Sequence, residues 1–173
     1  MIASRKAAFA AVTLVLTALA APLALAGSAQ AAPVAGACSG GRISFDSSPI
    51  GLVAAPTTAN FGGDLTGCQG TPAAAGTLQG NFSGTGSCLD VNGQVNGVIN
   101  WSDGETSTVS GPFDVPGGAG AAKTNTVAIT GGPGAGQQLT IAQGPVDGVA
   151  MTGPCLAGNA RNASIPITNA RIG

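Results

Sequence analysis

Histidine and tyrosine are absent from this chain of 173 residues, tryptophan occurs once, and charged side chains make up only 8% of it. Without histidine, Ser-His-Asp and Cys-His nucleophilic schemes are excluded, together with the usual zinc sites. Beyond the adjacent Arg5 and Lys6 the cations are scattered, and nucleic-acid binding needs clustered Lys and Arg to displace phosphate counterions. A single Trp cannot supply the aromatic girdles of a membrane-spanning β-barrel. Helical periodicity is missing after the amino-terminal segment, and no second apolar run approaches transmembrane length.

What is abundant is glycine, alanine and small polar residues, with 29 Gly and 11 Pro. Hydropathy is high and net charge small, the reverse of the usual disordered composition. The amino terminus places Arg5 and Lys6 before an apolar run from Ala7 to about Ala26, and ends it with Ala29-Gln30-Ala31. This pattern reads as a secretory signal peptide over residues 1–31, cleaved after Ala31 and leaving residues 32–173 as one domain. Removal of the leader leaves Arg42, Lys123, Arg161 and Arg171 against seven acids, so the exported chain is net negative. Ala35-Gly36-Ala37-Cys38 loosely matches a lipoprotein box, but it lacks the Leu, lies a dozen or so residues past the apolar run, and lipidation would strand a partner thiol.

Four cysteines in an exported chain form an even set with three possible pairings. Cys38–Cys68 and Cys88–Cys155 is the favoured one, because it ties the amino-terminal segment to its neighbour and closes the remaining body with a second bridge. Sequence order alone leaves the other pairings open.

Alternation of apolar and polar residues with Gly-rich punctuation predicts about eight or nine short strands. The strongest signal lies in Gly76–Val115. It predicts a long half-buried strand from Gly76 with Leu78, Phe82 and Cys88 at even positions, or two strands joined at Gly84-Thr85-Gly86, then hairpin turns at Asn92-Gly93 and Asp103-Gly104, a middle strand Val95–Asp103 carrying Trp101, and a return strand Glu105–Val115. Before it, Arg42–Asp46 and Ala59–Thr66 are strands, and Ile50–Thr58, broken by Pro56, is an edge or connection. After it, Thr124–Thr130 and Gln138–Gln143 flank a Gly131–Gly136 hairpin, and Asp147–Thr152 follows. Ala163–Thr168 contains Pro166 and is therefore expected at a sheet edge. The expected fold is all-β, an immunoglobulin-like antiparallel sandwich, with a small up-and-down β-barrel as the alternative.

Cys38-Ser39-Gly40-Gly41, Cys68, Gly86-Ser87-Cys88, Val98-Ile99-Asn100-Trp101, Ser107-Thr108-Val109-Ser110-Gly111 and Pro154-Cys155-Leu156 together carry a resemblance. The chain resembles small secreted actinobacterial proteins of unknown function with a CSGG opening and four cysteines. The resemblance implies export from a high-GC Gram-positive cell and an immunoglobulin-like sandwich. It offers no functional residue to carry over.

Chemical motifs are few. Asp103 and Glu105 are the nearest acid pair, with Asp90 and Asp114 in the same region, but Asp103-Gly104-Glu105 reads as a solvated turn rather than a glycosidase pair. The same acids lack a calcium-loop pattern. Residues Pro116–Thr124 approach a phosphate loop but place Ala122 where its last glycine belongs. Asn81-Phe82-Ser83, Asn100-Trp101-Ser102 and Asn162-Ala163-Ser164 match glycan acceptors and read as ordinary strand and loop residues. No catalytic, cofactor-binding or metal-binding residue is therefore assigned. The expected function is non-enzymatic: a secreted module that binds an extracellular protein or a cell-envelope component. A surface-active or structural coat protein and a carboxylate-dependent hydrolase are the alternatives, and burial of Trp101 decides whether it serves the core or a sugar contact.

Overall fold

The computed structural model describes residues 34–70, 72–116, 122–146 and 152–173. The strands are β1 (Gly36–Ile50), β2 (Ala55–Gln69), β3 (Gly76–Gly86), β4 (Asp90–Trp101), β5 (Thr106–Pro116), β6 (Lys123–Gly131), β7 (Gln138–Gln143) and β8 (Ala160–Ile172). A short helix, α1 (Thr152–Leu156), precedes β8. Each strand pairs antiparallel with the next, and β8 returns to pair with β1, so one sheet closes on itself as an up-and-down barrel. The all-β class holds. The architecture is the barrel alternative and not the immunoglobulin-like sandwich, because Ile43 pairs with Ile165 across the closing seam instead of facing a second sheet.

Closure follows from the period-2 pattern. Leu78 and Phe82 of β3, and Val95, Ile99 and Trp101 of β4, point inward and are buried, while Thr77, Gln79, Asn81 and Asn96 point out. An eight-stranded barrel is just wide enough for side chains to fill. Here four phenylalanines fill the middle, with Phe45 packed against Phe61, Phe82 and Phe113. The rings have room because the facing strands carry inward glycines. A Cβ on Gly80 or Gly97 would fall 2.7 or 2.8 Å from Phe61 Cζ, and one on Gly93 would fall 2.6 Å from Phe82 Cζ. Apolar burial is worth roughly 25 cal/mol per Å², which makes these rings the largest contributions to the interior.

Several local expectations change. Asn92-Gly93 is no hairpin turn but lies inside β4, where Gly93 serves ring packing; the β3–β4 turn is Ser87–Leu89, with Ser87 N–H donating to Asp90 O. The Pro56 segment is regular strand, Pro56 facing Thr85 across β2–β3. Nor is the Pro166 strand an edge, since a closed barrel has none. Pro166 sits beside the register shift between Ala142 and Gln143, where a missing N–H is tolerated. The Asp103-Gly104 turn is as read, with Gly104 at φ 91° and the Asp103 carboxylate accepting from Glu105 N–H. The Gly131–Gly136 connection is also a turn, using positive φ at Gly132, Gly134 and Gly136.

The leader at residues 1–31, the phosphate-loop-like stretch at 117–121 and most of the strand expected at 147–152 lie outside the described residues. Of that last segment, Thr152 opens α1.

Candidate functional site

The up-and-down order sorts the connections to two ends. The β1–β2 and β3–β4 turns and α1 lie at one end, with the last residues of β5 and β7 and the first of β6 and β8, and the β2–β3, β4–β5 and β6–β7 turns share the other. At the first end three connections are tied together. Cys88 N–H donates to Gly51 O at 2.8 Å, and Cys88 is disulfide-bonded to Cys155 of α1 across 67 residues. Ile50, Cys88, Cys155 and Ala160, with Val91, form a small apolar cluster separate from the main core. The other disulfide, Cys38–Cys68, joins directly opposed residues of β1 and β2. Both bridges are those favoured by sequence order.

The stapled end is apolar on its outside as well. Leu52 is 52% exposed, Val53 82%, Leu89 66% and Leu156 74%, and these are the exposed large hydrophobic residues among those described. They lie on the β1–β2 turn, the β3–β4 turn and α1, and residues 51–54, 87–89 and 152–159 carry no charge. Below them a cavity of about 50 Å³ opens at the barrel mouth, lined chiefly by Phe45, Ile50, Phe82, Val91, Val115 and Val146. Its polar lining, Ser47, Thr57 and Ser87, is occupied locally: Ser47 Oγ donates to Arg161 O, Thr57 Oγ1 donates to Ala55 O, and Ser87 Oγ accepts from the Leu89 and Asp90 N–H groups. A second, smaller void of about 20 Å³ lies deeper among Phe45, Phe61, Phe113 and their neighbours.

The acids weighed from sequence are not brought together. Asp103 and Glu105 are exposed in the β4–β5 turn at the opposite end. Asp90 is exposed at the start of β4 and accepts from Asn92 Nδ2. Asp114 pairs with Lys123 at 2.8 Å. Among the described residues no group of three or more His, Cys, Asp or Glu is placed to hold a metal ion. Trp101 is 3% exposed and its Nε1–H donates to Ser107 Oγ at 2.9 Å, so it is a core residue at the end away from the cavity mouth.

Sequence reasoning did not find Leu52, Val53, Leu89 and Leu156 as a group, because the three segments that carry them, Ile50–Ala55, Leu89 and Leu156, lie far apart in the chain. The one signal available was their shared position next to strand ends on the same side of an up-and-down order. Among the described residues no helix is long and apolar enough to cross a membrane. No protein-family model, curated protein or solved structure matches this chain.

Proposed function

We propose that this protein is an exported, non-enzymatic binding module, residues 32–173 after loss of its leader, whose stapled end docks on an apolar component of the cell envelope. The observation that carries the reading is the set of four exposed apolar side chains, Leu52, Val53, Leu89 and Leu156, gathered at one end on segments that carry no charge, around an apolar cavity. Isolated exposed apolar residues are ordinary, but a group confined to one end marks a contact surface. Full burial of a Leu or Val side chain is worth about 1.5–3 kcal/mol, so four of them suffice for reversible attachment to lipid chains. The disulfides fit an oxidising compartment. The non-enzymatic part rests on the absence of histidine and on the described acids, which are exposed singly or, for Asp114, paired with lysine.

The test is co-sedimentation of the disulfide-bonded protein with neutral phosphatidylcholine vesicles. Binding is expected for the natural chain and lost in a variant with Leu52, Val53, Leu89 and Leu156 all changed to Ser. Failure of the natural chain to sediment, or equal sedimentation of both, rejects the reading.

A surface-active role is the second reading. It is favoured by the contrast between a hydroxyl- and amide-rich barrel wall and the apolar end, which makes a monomer amphipathic. Assembly through strand edges is disfavoured because a closed barrel has none. Adsorption to an air–water interface without fibrils separates the two modes.

A further inference from the structure

We infer that the outer wall over β8, β1, β2, β3 and β4 carries a second, independent binding site, for a neutral glycan. The register aligns Asn162, Asp46, Asn60, Asn81 and Asn96 in one transverse row, each directly opposite the next on the neighbouring strand. All five are exposed. At the roughly 4.8 Å spacing between strands the row spans about 19 Å, the reach of a short oligosaccharide laid across the sheet. A barrel wall is normally convex, yet here two adjoining hollows of about 500 and 530 Å³ share Asp46 and Asn60 in their linings.

Some polar residues of the wall pair with a neighbour: Thr106 Oγ1 donates to Asn100 Oδ1 at 3.2 Å, Thr108 Oγ1 lies 3.0 Å from Thr130 Oγ1, and Arg42 Nη1 donates to Ser164 Oγ at 2.9 Å at the side of the first hollow. In the hollows, the Asp46 carboxylate and the Asn60 and Asn81 carboxamides make no side-chain hydrogen bond among the described residues. Asn96 Oδ1 accepts from Ser110 Oγ, which leaves its NH₂ group directed to no described partner. A line of carboxamides, each with both donor and acceptor groups and all but Asn96 Oδ1 unengaged among the described residues, with one carboxylate and the Arg161 fork beside it, matches the paired donor-acceptor character of sugar hydroxyls. One acid and one cation offset each other, and the remainder is uncharged, so the match is to a neutral chain and not to an acidic one.

The site is tested by ¹H–¹⁵N NMR titration of the disulfide-bonded protein with a linear glucan hexasaccharide and a mannan hexasaccharide, with polygalacturonate as the acidic comparison. Saturable shifts of the Asn60 and Asn81 side-chain amides are expected with at least one neutral glycan and not with polygalacturonate. Asn60→Ala with Asn81→Ala is expected to weaken binding by about tenfold or more, and Asn100→Ala, on a paired row, to leave it unchanged. Should the alanine pair disturb the barrel, the near-isosteric Asn60→Asp with Asn81→Asp replaces each donor NH₂ by a charged acceptor oxygen and is expected to weaken binding likewise. No saturable shift with either neutral glycan, equal binding by the double variants, or preference for polygalacturonate overturns the inference. Vesicle binding does not enter this experiment, so its result is separate from that of the stapled end.

Discussion

The ring of Phe45 stands 5.8 Å from the ring of Phe61, and the Phe45 ring alone bounds both the cavity under the barrel mouth and the deeper void. Phe45 is thus the partition of the interior. Its replacement by Ala joins the two spaces and removes three aromatic contacts at once. The expected cost is about 3–5 kcal/mol, read as a fall in the denaturant midpoint with unchanged slope. The enlarged space is also expected to take up xenon or benzene, which the natural cavity of about 50 Å³ is too small to hold as a whole ring. Loss of stability without uptake would show that neighbouring rings collapse into the gap.

A different weakness lies at β5–β6. The backbone ladder there covers Thr108–Ser110 against Ala128–Gly131, with a register shift. Further along, the strands are stitched by side chains, chiefly buried Asn125, which accepts from Asp114 N–H and donates to Asp114 O, both at 2.9 Å. Asn125→Ala is expected to cost about 1–3 kcal/mol, since the Asp114 N–H loses its partner and Asp114 O keeps only a 3.5 Å bond from Gln143 Nε2. Hydrogen exchange at the Asp114 amide reports it directly. By contrast, Lys123→Ala, which breaks the half-exposed ion pair beside it, is expected to cost less than about 1 kcal/mol. Equal effects of the two changes would contradict the seam.

Much of this fold was legible. Alternation placed the strands, Asp103-Gly104 marked a true turn, and the cysteine order indicated both bridges. Closure was not legible, because a sandwich and a small barrel both need strands with one apolar face. The deciding fact is the pairing of Ile43 with Ile165, which no local pattern encodes. Asn92-Gly93 misled for a related reason. A turn dipeptide says that the backbone can bend, while Gly93 is required for something else, the edge of Phe82 lying over it. The apolar end was illegible because Leu52 and Leu156 are joined only by topology and the Cys88–Cys155 bridge.

The two disulfides are expected to differ in consequence. The chain-entropy relation gives about 3.6 kcal/mol for a closed loop of 30 residues and about 4.4 kcal/mol for one of 67. Position widens that gap. Cys38 and Cys68 face each other within a continuous β1–β2 ladder that survives reduction, whereas Cys155 anchors a five-residue helix far too short to persist unaided. Replacing Cys88 and Cys155 by Ser should therefore raise protease sensitivity around α1, and replacing Cys38 and Cys68 should leave that region protected. Limited proteolysis with mass mapping distinguishes them, and early cleavage near α1 in the Cys38/Cys68 variant would count against the assignment.

Trp101 closes the other end through a relay of two hydrogen bonds: its Nε1–H donates to Ser107 Oγ, and Ser107 Oγ donates to Pro133 O at 2.8 Å. Ser107 is fully buried, so its hydroxyl joins the β4 strand end to the β6–β7 turn with no access for water. Ser107→Ala leaves both the indole N–H and the Pro133 carbonyl without this partner. The expected loss is about 2–4 kcal/mol, the desolvation cost of two orphaned groups. Ser107→Thr keeps the hydroxyl and tests whether geometry or mere polarity matters. Because the chain holds a single Trp, its fluorescence reports this site alone. A blue-shifted emission is expected in the natural protein, with little change when the barrel's stapled end meets vesicles, since Trp101 sits at the far end. A large shift on vesicle addition would mean that the protein docks by the wrong end.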